Sequence, residues 1–236
     1  MRIAEISNLS PGIWRGGKAD LGMHRREAIK HAKPLPGVQG INYVVSPHET
    51  RFIAIDPARK PSRYSDMYEN VGELYLKSPP GLWIEPAYRV DTITVDEDYR
   101  NRGIASGLYM AALRDLQVPI LAGDSQSSGG RRNWARLYNT PGVTVLGYGK
   151  LEDDVFEDLD DSALDKLITA IMESGGNFIG EVTQWSTLYH VFTFDVRVDP
   201  KKTLQNAVHR SKIETYGRGA HPFSFAEIGL VAYLDK

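Results

Sequence analysis

The order of strand and helix signals along the chain predicts an α+β fold with a mixed, mostly antiparallel twisted sheet flanked by helices. The first observation is a series of short apolar strand candidates separated by turn residues, which is typical of antiparallel meanders. The second is a set of strand–helix–strand units further along the chain. The third is composition, because 42% hydrophobic and 25% charged residues among 236 are values of a globular protein.

The elements are predicted from apolar periodicity and from turn residues. Strands are expected at 41–45, 51–56, 71–76, 82–85, 88–95, 118–122 and 142–148, and helices at 22–32, 108–116 and 131–138. An acidic run at 152–161 marks a change in composition. Beyond it we expect a helix at 162–172 with Ser162 as its N-cap, and strands at 177–183, 189–198, 212–216 and 226–234.

This pattern divides the chain into an N-terminal segment (1–39), a core (40–150) and a C-terminal α+β extension (151–236). Composition excludes several kinds of site. Cysteine is absent, which rules out disulfides, thiolate metal ligands and a cysteine nucleophile. The histidines show no partner at metal-ligand spacing, so we expect no metal. We also expect a cytoplasmic protein without membrane contact, since no apolar run approaches the ~20 residues that span a bilayer.

The segment from Tyr99 to Gly107 is the most informative stretch of the chain. It follows a strand candidate and opens a helix, so unpaired backbone N–H groups and the positive end of the helix dipole point outward together. Gly103 lets a phosphate approach the backbone closely, and Arg100 and Arg102 add positive charge. The sequence therefore predicts a ligand that carries phosphates.

Spacing discriminates among phosphate ligands. The chain lacks the Gly-x-x-x-x-Gly-Lys-Ser/Thr pattern of a P-loop, and its glycines match the dinucleotide fingerprint poorly. The pattern that remains is Arg/Gln-x-x-Gly-x-Gly/Ala, filled by Arg100, Gly103 and Ala105. A strand candidate, a helix ending in Leu137-Tyr138 and a further strand follow. In these features residues 40–150 resemble the GCN5-related N-acetyltransferase (GNAT) superfamily.

The resemblance implies a GNAT-like core that binds acetyl-CoA, or another acyl-CoA, as cosubstrate and transfers the acyl group to a primary amine by direct attack. The diphosphate would bind at the turn, through backbone N–H groups and the Ser106 hydroxyl, while pantetheine would run beside the strand at 93–95. The cofactor-binding residues implied are Ile93, Val95, Arg100, Asn101, Arg102, Gly103, Ala105 and Ser106.

For catalysis the resemblance implies Tyr138 as the general acid that protonates the leaving thiolate. The family's strand glutamate falls closest to Arg89, and this departure leaves the base unassigned. Asp91 is the candidate, because a period of two places it on the face of Ile93 and Val95. Glu73, Glu85 and His48 compete with it. Asp124 and Ser125, in the polar loop before the second helix, are candidate substrate-binding residues.

Two other functions stay open. A GNAT-like fold can modify a nucleic acid or a nucleobase, which the Arg131-Arg132 pair allows but the net charge of −2 does not favour. It can also be a catalytically degenerate interaction module, which the long extension and the missing strand glutamate allow. The expected partners are therefore an acyl-CoA and an amine acceptor, with a homo-oligomer left open. The sequence does not identify the amine or the role of the extension.

Overall fold

The computed structural model describes residues 31–46, 50–59, 70–78, 86–123, 127–152, 161–184, 187–211 and 225–235. Within these ranges the chain forms ten strands and four α-helices. The strands are β1 (Lys33–Pro34), β2 (Asn42–Ser46), β3 (Arg51–Ile55), β4 (Gly72–Lys77), β5 (Tyr88–Val95), β6 (Ile120–Leu121), β7 (Val143–Glu152), β8 (Gly176–Gln184), β9 (Thr187–Asp195) and β10 (Phe225–Leu234). The helices are α1 (Ile104–Leu116), α2 (Ser128–Tyr138), α3 (Asp161–Glu173) and α4 (Pro200–Ser211).

The predicted fold class is confirmed, because the strand pairs are mostly antiparallel with one parallel pair, and helices pack against the strands. Most predicted elements are found within a few residues of their expected bounds. The strands expected at 82–85 and 212–216, and nearly all of the helix expected at 22–32, lie outside the described residues.

The chain divides into two compact units, of which the first comprises Met1–Ser78, Pro86–Val143 and Tyr233–Lys236. Its sheet follows the chain order from β1 to β6. Neighbouring strands are antiparallel up to β5, and β6 runs parallel to β5. Helix α1 contacts β3, β4 and β5, where Phe52, Leu74 and Leu108 are fully buried. This packing holds the start of α1 beside the end of β5.

Two glycines allow α1 to approach its neighbours closely. A Cβ atom on Gly72 would lie 2.8 Å from Ile104 Cγ2, and one on Gly107 would lie 2.8 Å from Leu35 Cγ. Real Cβ atoms do not make such short contacts, because protein interiors are already close-packed. Gly107 therefore serves helix packing, whereas Gly103 belongs to the turn itself.

The second unit comprises Pro79–Glu85 and Thr144–Ala232. Its strands have the order β10-β7-β9-β8, with antiparallel β7–β9 and β9–β8 pairs. Apolar residues of these strands pack with α3 and α4 in one cluster, formed by Leu151, Leu167, Ala170, Ile171, Phe192, Phe194, Leu204 and Ala207. The boundary between the units follows Val143, whereas the core predicted from the sequence ends at residue 150.

Helix α4 was not predicted from the sequence, although its start carries a recognisable signal. The Asp199 carboxylate accepts hydrogen bonds from the N–H groups of Lys201 (3.0 Å) and Lys202 (3.4 Å), and Pro200 is the first helical residue. Two smaller expectations are also wrong. Ser162 lies inside α3 rather than capping it, and β9 ends at Asp195 because a turn follows.

Candidate functional site

The turn between β5 and α1 adopts the conformation that its residues favour. A short 3-10 turn over Glu97–Tyr99 is capped by the Asp96 carboxylate, which accepts from the Asp98 N–H. Asn101 (φ 64°) and Gly103 (φ 84°) are both left-handed, a conformation that asparagine tolerates and glycine adopts freely. Gly103 is the N-cap of α1 and makes no side-chain capping hydrogen bond. The helix start is therefore open to an external acceptor.

The first intrahelical hydrogen bond of α1 runs from the Gly107 N–H to the Gly103 carbonyl, at 2.9 Å. The N–H groups of Ile104, Ala105 and Ser106 consequently have no acceptor within their own helix. Together with the helix dipole, these donors favour an anion at this position.

A cleft of about 420 Å³ lies directly in front of this turn. Its volume falls within the range of about 300–1,000 Å³ that is usual for small-molecule sites. One wall is the end of β5 with the turn and the start of α1, and the other is α2 with the residue before it. The lining residues are Ile93, Thr94, Val95, Tyr99, Arg100, Asn101, Gly103, Ile104, Ala105, Ser127, Gly129, Gly130, Arg132, Asn133 and Arg136.

The N-termini of two helices border this one cleft. The α2 N-terminus contributes Ser127, Gly129 and Gly130, and the Ser127 hydroxyl caps the helix by accepting from the Gly130 N–H at 3.1 Å. Polar and aromatic side chains of α2 contact α1. The Ser106 hydroxyl donates to Asn133 Oδ1 at 3.4 Å, and Tyr109 packs edge-on against Trp134 with ring centroids 5.6 Å apart. Burial raises the pKa of Tyr109, so its phenol stays neutral.

The cleft is cationic. Arg100, Arg132 and Arg136 line it, and no acidic side chain does so within the described part of the chain. Arg100 forms an exposed ion pair with Glu97 at 3.1 Å, which is a weak interaction that solvent screens. The arginines of α2 were not among the site residues predicted from the sequence. Their signal was the spacing of four residues between Arg132 and Arg136, which places both on one helix face.

A network of side chains behind the turn fixes its position. The Tyr99 hydroxyl donates to Asp56 Oδ2 at 2.8 Å, and Arg59 donates to Asp96 Oδ2 at 2.8 Å. The hydrogen bond to Arg59 is the main cause of a lowered pKa for Asp96, while the bond to Asp56 raises the pKa of Tyr99. The Arg102 guanidinium stacks over the Tyr99 ring, 4.8 Å from its centroid.

Of the predicted cofactor-binding residues, six line the cleft, namely Ile93, Val95, Arg100, Asn101, Gly103 and Ala105. The other two lie beside it. Arg102 packs on Tyr99, and Ser106 contacts Asn133. Residues from the end of β5, the turn and the start of α1 are thus neighbours around one cavity.

The placement expected for Asp91 is wrong. In the pairing of β4 with β5, Tyr75 pairs with Thr92, and the next residue, Leu76, pairs with Val90. This register leaves Asp91 opposite no residue of β4, and Asp91 is therefore an extra residue in β5. Such a bulge breaks the period of two. Ile93 pairs with Leu74 and shares the face of Val90, whereas Asp91 forms an ion pair with Lys77. Asp91 therefore does not share the face of Ile93 and Val95.

Two of the remaining candidates, Tyr138 and Glu73, are described, and neither lines the cleft. Tyr138 is the last residue of α2, and 40% of it is exposed. Glu73 pairs with Arg51 at 3.3 Å. Asp124, Ser125, Glu85 and His48 lie outside the described residues. Among the residues that are described, no group of three or more His, Asp or Glu side chains could hold a metal ion. None of the helices described is both long and apolar enough to cross a membrane.

Comparisons with known proteins find likeness only among solved structures. No protein-family model matches the chain, and no curated protein matches it. The NatC complex bound to Gag peptide and CoA is 14% identical, with a TM-score of 0.26 over 62% of this chain and 70% of its own. A GNAT-family acetyltransferase from Bordetella pertussis is 13% identical, with a TM-score of 0.24 over 62% and 65%. A tandem GNAT protein from the clavulanic acid biosynthesis pathway is 18% identical, with a TM-score of 0.27 over 66% and 44%. This chain thus spans less than two thirds of the second and third structures.

Proposed function

We propose that this protein is an acyl-CoA-dependent N-acyltransferase, most simply one that transfers acetyl from acetyl-CoA to a primary amine of a small molecule or a protein. The observation that carries the proposal is the cationic cleft of about 420 Å³ in front of the open start of α1. The sequence motif from Arg100 to Ala105, which resembles the GNAT superfamily, forms part of one wall of this cleft.

The diphosphate of CoA would bind at the turn. Backbone N–H groups from Asn101 to Ser106 would donate to its oxygens, and Arg100 would add a charge-assisted hydrogen bond. Gly103 supports this arrangement, because its φ of 84° is one that other residues rarely adopt and because the absence of a side chain admits the ligand.

Pantetheine would extend along the second half of β5. The described part of β6 pairs with β5 only at Tyr88 and Arg89, which are at the beginning of that strand. Backbone groups near Ile93 and Val95 can therefore bond a ligand that adds to the sheet as a further strand does. Both residues line the cleft, which supports this path.

In the transfer step, the neutral amine nitrogen attacks the thioester carbonyl carbon, and the carbon–sulfur bond breaks. The nitrogen loses one proton to a base, and the leaving thiolate takes one proton and departs as the thiol. We assign the protonation to Tyr138, which is the last residue of α2 and is 40% exposed. Asp91 is retained as a candidate base, although its ion pair with Lys77 favours a role in the strand bulge. Catalysis would depend mainly on alignment of the two reactants.

Mass spectrometry of an amine panel incubated with acetyl-CoA tests this proposal directly. We expect an acetylated product with at least one amine, and at least about a tenfold loss of kcat in Tyr138→Phe with little change in KM. Asp91→Asn serves as the second variant. If kcat is unchanged in that variant, Asp91 is not the base. If the unmodified protein gives no product with any acyl-CoA and does not bind CoA, the proposal is rejected.

A further inference from the structure

The arginines of α2 are the feature of the cleft that the proposed function has not used. Helix α2 contains Arg131, Arg132 and Arg136 and no Asp or Glu. Arg132 and Arg136 line the cleft, whereas Arg131 does not. All three side chains are exposed, so burial does not explain the difference.

The spacing of the two lining arginines is unfavourable for the helix by itself. Residues four apart lie on one face, and like charges in this relation repel each other. No carboxylate among the described residues forms an ion pair with either side chain, and none lines the cleft. Arg136 also lies in the last turn of α2, where the helix dipole favours a cation, but Arg132 does not have this compensation. An anion between the two guanidiniums would remove the repulsion.

A diphosphate alone does not use all the positive charge that this cleft presents. The opposite wall already offers the N–H groups of the turn, the start of α1 and Arg100. A diphosphate linked on both sides carries one negative charge on each phosphate. A phosphate monoester adds about −1.5 to −2 at pH 7, and it offers oxygens that arginine binds in a bidentate manner.

We propose that Arg132 and Arg136 form a second anion subsite, which binds the phosphate monoester on the ribose of CoA. This inference rests on the proposed function, and it makes the α2 wall the part of the cleft that distinguishes CoA from its 3′-dephospho form. The turn and α1 bind what the two ligands share, while α2 binds the group in which they differ.

Isothermal titration with CoA and with 3′-dephospho-CoA tests the subsite in the full chain. We expect the unmodified protein to bind CoA at least about tenfold more tightly than dephospho-CoA. Arg132→Ala and Arg136→Ala should each lose most of that preference and leave the Kd for dephospho-CoA within about twofold. Arg131→Ala is the matched control, because it removes the same charge from the same helix outside the cleft, and it should keep the preference.

The outcomes separate the two proposals. Equal binding of both ligands by the unmodified protein would overturn the subsite and leave the proposed function standing. The subsite is also overturned if Arg132→Ala lowers the affinity for both ligands equally while the circular dichroism spectrum is unchanged. If neither ligand binds the unmodified protein, the proposed function is rejected, and the subsite with it.

Discussion

Cationic side chains in the two compact units differ in their surroundings. One is buried and paired with a carboxylate, and the others are exposed beside a cleft. In the second unit Lys150 is only 2% exposed, its Nζ lies 3.0 Å from Glu227 Oε2, and the Tyr148 hydroxyl donates to the other oxygen of the same carboxylate at 2.6 Å. In the first unit Arg132 and Arg136 are exposed beside a cleft without an acidic lining residue in the described chain. Lys150 is neutralised by its own unit, whereas Arg132 and Arg136 border a cavity and remain available to a ligand.

The largest expected effect comes from breaking the buried pair. Lys150→Ala removes the cation beside the Glu227 carboxylate and keeps the hydrogen bond that Tyr148 donates to it. We therefore expect the free energy of unfolding to fall by about 2–4 kcal/mol. The loss is at the low end for buried pairs because Glu227 reaches solvent, with 29% of its side chain exposed. Urea denaturation measures it. The double variant Lys150→Met/Glu227→Gln should recover at least part of the loss, and a single variant as stable as the unmodified protein would show that the pair is dispensable.

The cleft should respond in the opposite way, with a loss of ligand and no loss of stability. Gly129 lines the cleft near the start of α2, and a Cβ there would meet no described atom closer than Ser127 Oγ at 3.6 Å. Gly129→Asp adds a negative charge that the helix dipole favours, so the melting temperature should stay equal or rise. Acyl-CoA affinity should fall at least about tenfold, which is about 1.4 kcal/mol. Gly129→Ala is the matched control and should bind normally. Equal affinity in all three proteins would show that the ligand does not approach the start of α2.

The smallest expected effect is a change in the pKa of Asp195, which pairs with the exposed Arg197. Arg197 donates to both oxygens of Asp195, at 2.7 and 2.6 Å, and these bonds lower the pKa of that carboxyl to about 2. A lowered carboxyl pKa stabilises the folded state above the unfolded pKa of about 3.9. That contribution is lost as the pH falls through about 2. In Arg197→Ala the pKa of Asp195, followed by NMR, should return toward its ordinary value, while acyl-CoA affinity stays unchanged. A pKa that remains near 2 would assign the effect to another group.

Local signals explain what the sequence predicts well. The turn from Arg100 to Ala105 was found because a strand, a glycine and a helix start are adjacent in the chain, and each leaves a pattern within a few residues. Helix α4 was missed although Asp199 and Pro200 mark its start, because its polar face outweighs the apolar residues Leu204, Ala207 and Val208.

Other features depend on tertiary pairing and leave no local pattern. The bulge that displaces Asp91 is a property of two strands together, and only their register reveals it. The Lys150–Glu227 pair joins β7 to β10, which are distant in sequence. The arginines of α2 could be assigned to one helix face from their spacing, but the cavity that they face is formed by β5 and α1 as well.

The central claim is that the N–H groups at the turn and at the start of α1 bind the diphosphate of an acyl-CoA. The most direct test is a titration of ¹⁵N-labelled protein with CoA, in which the amide signal of each residue is followed. We predict saturable shifts that are largest from Asn101 to Ser106 and at Gly129 and Gly130. Shifts confined to residues outside the cleft, or no saturable shift at any of these amides, would contradict the claim.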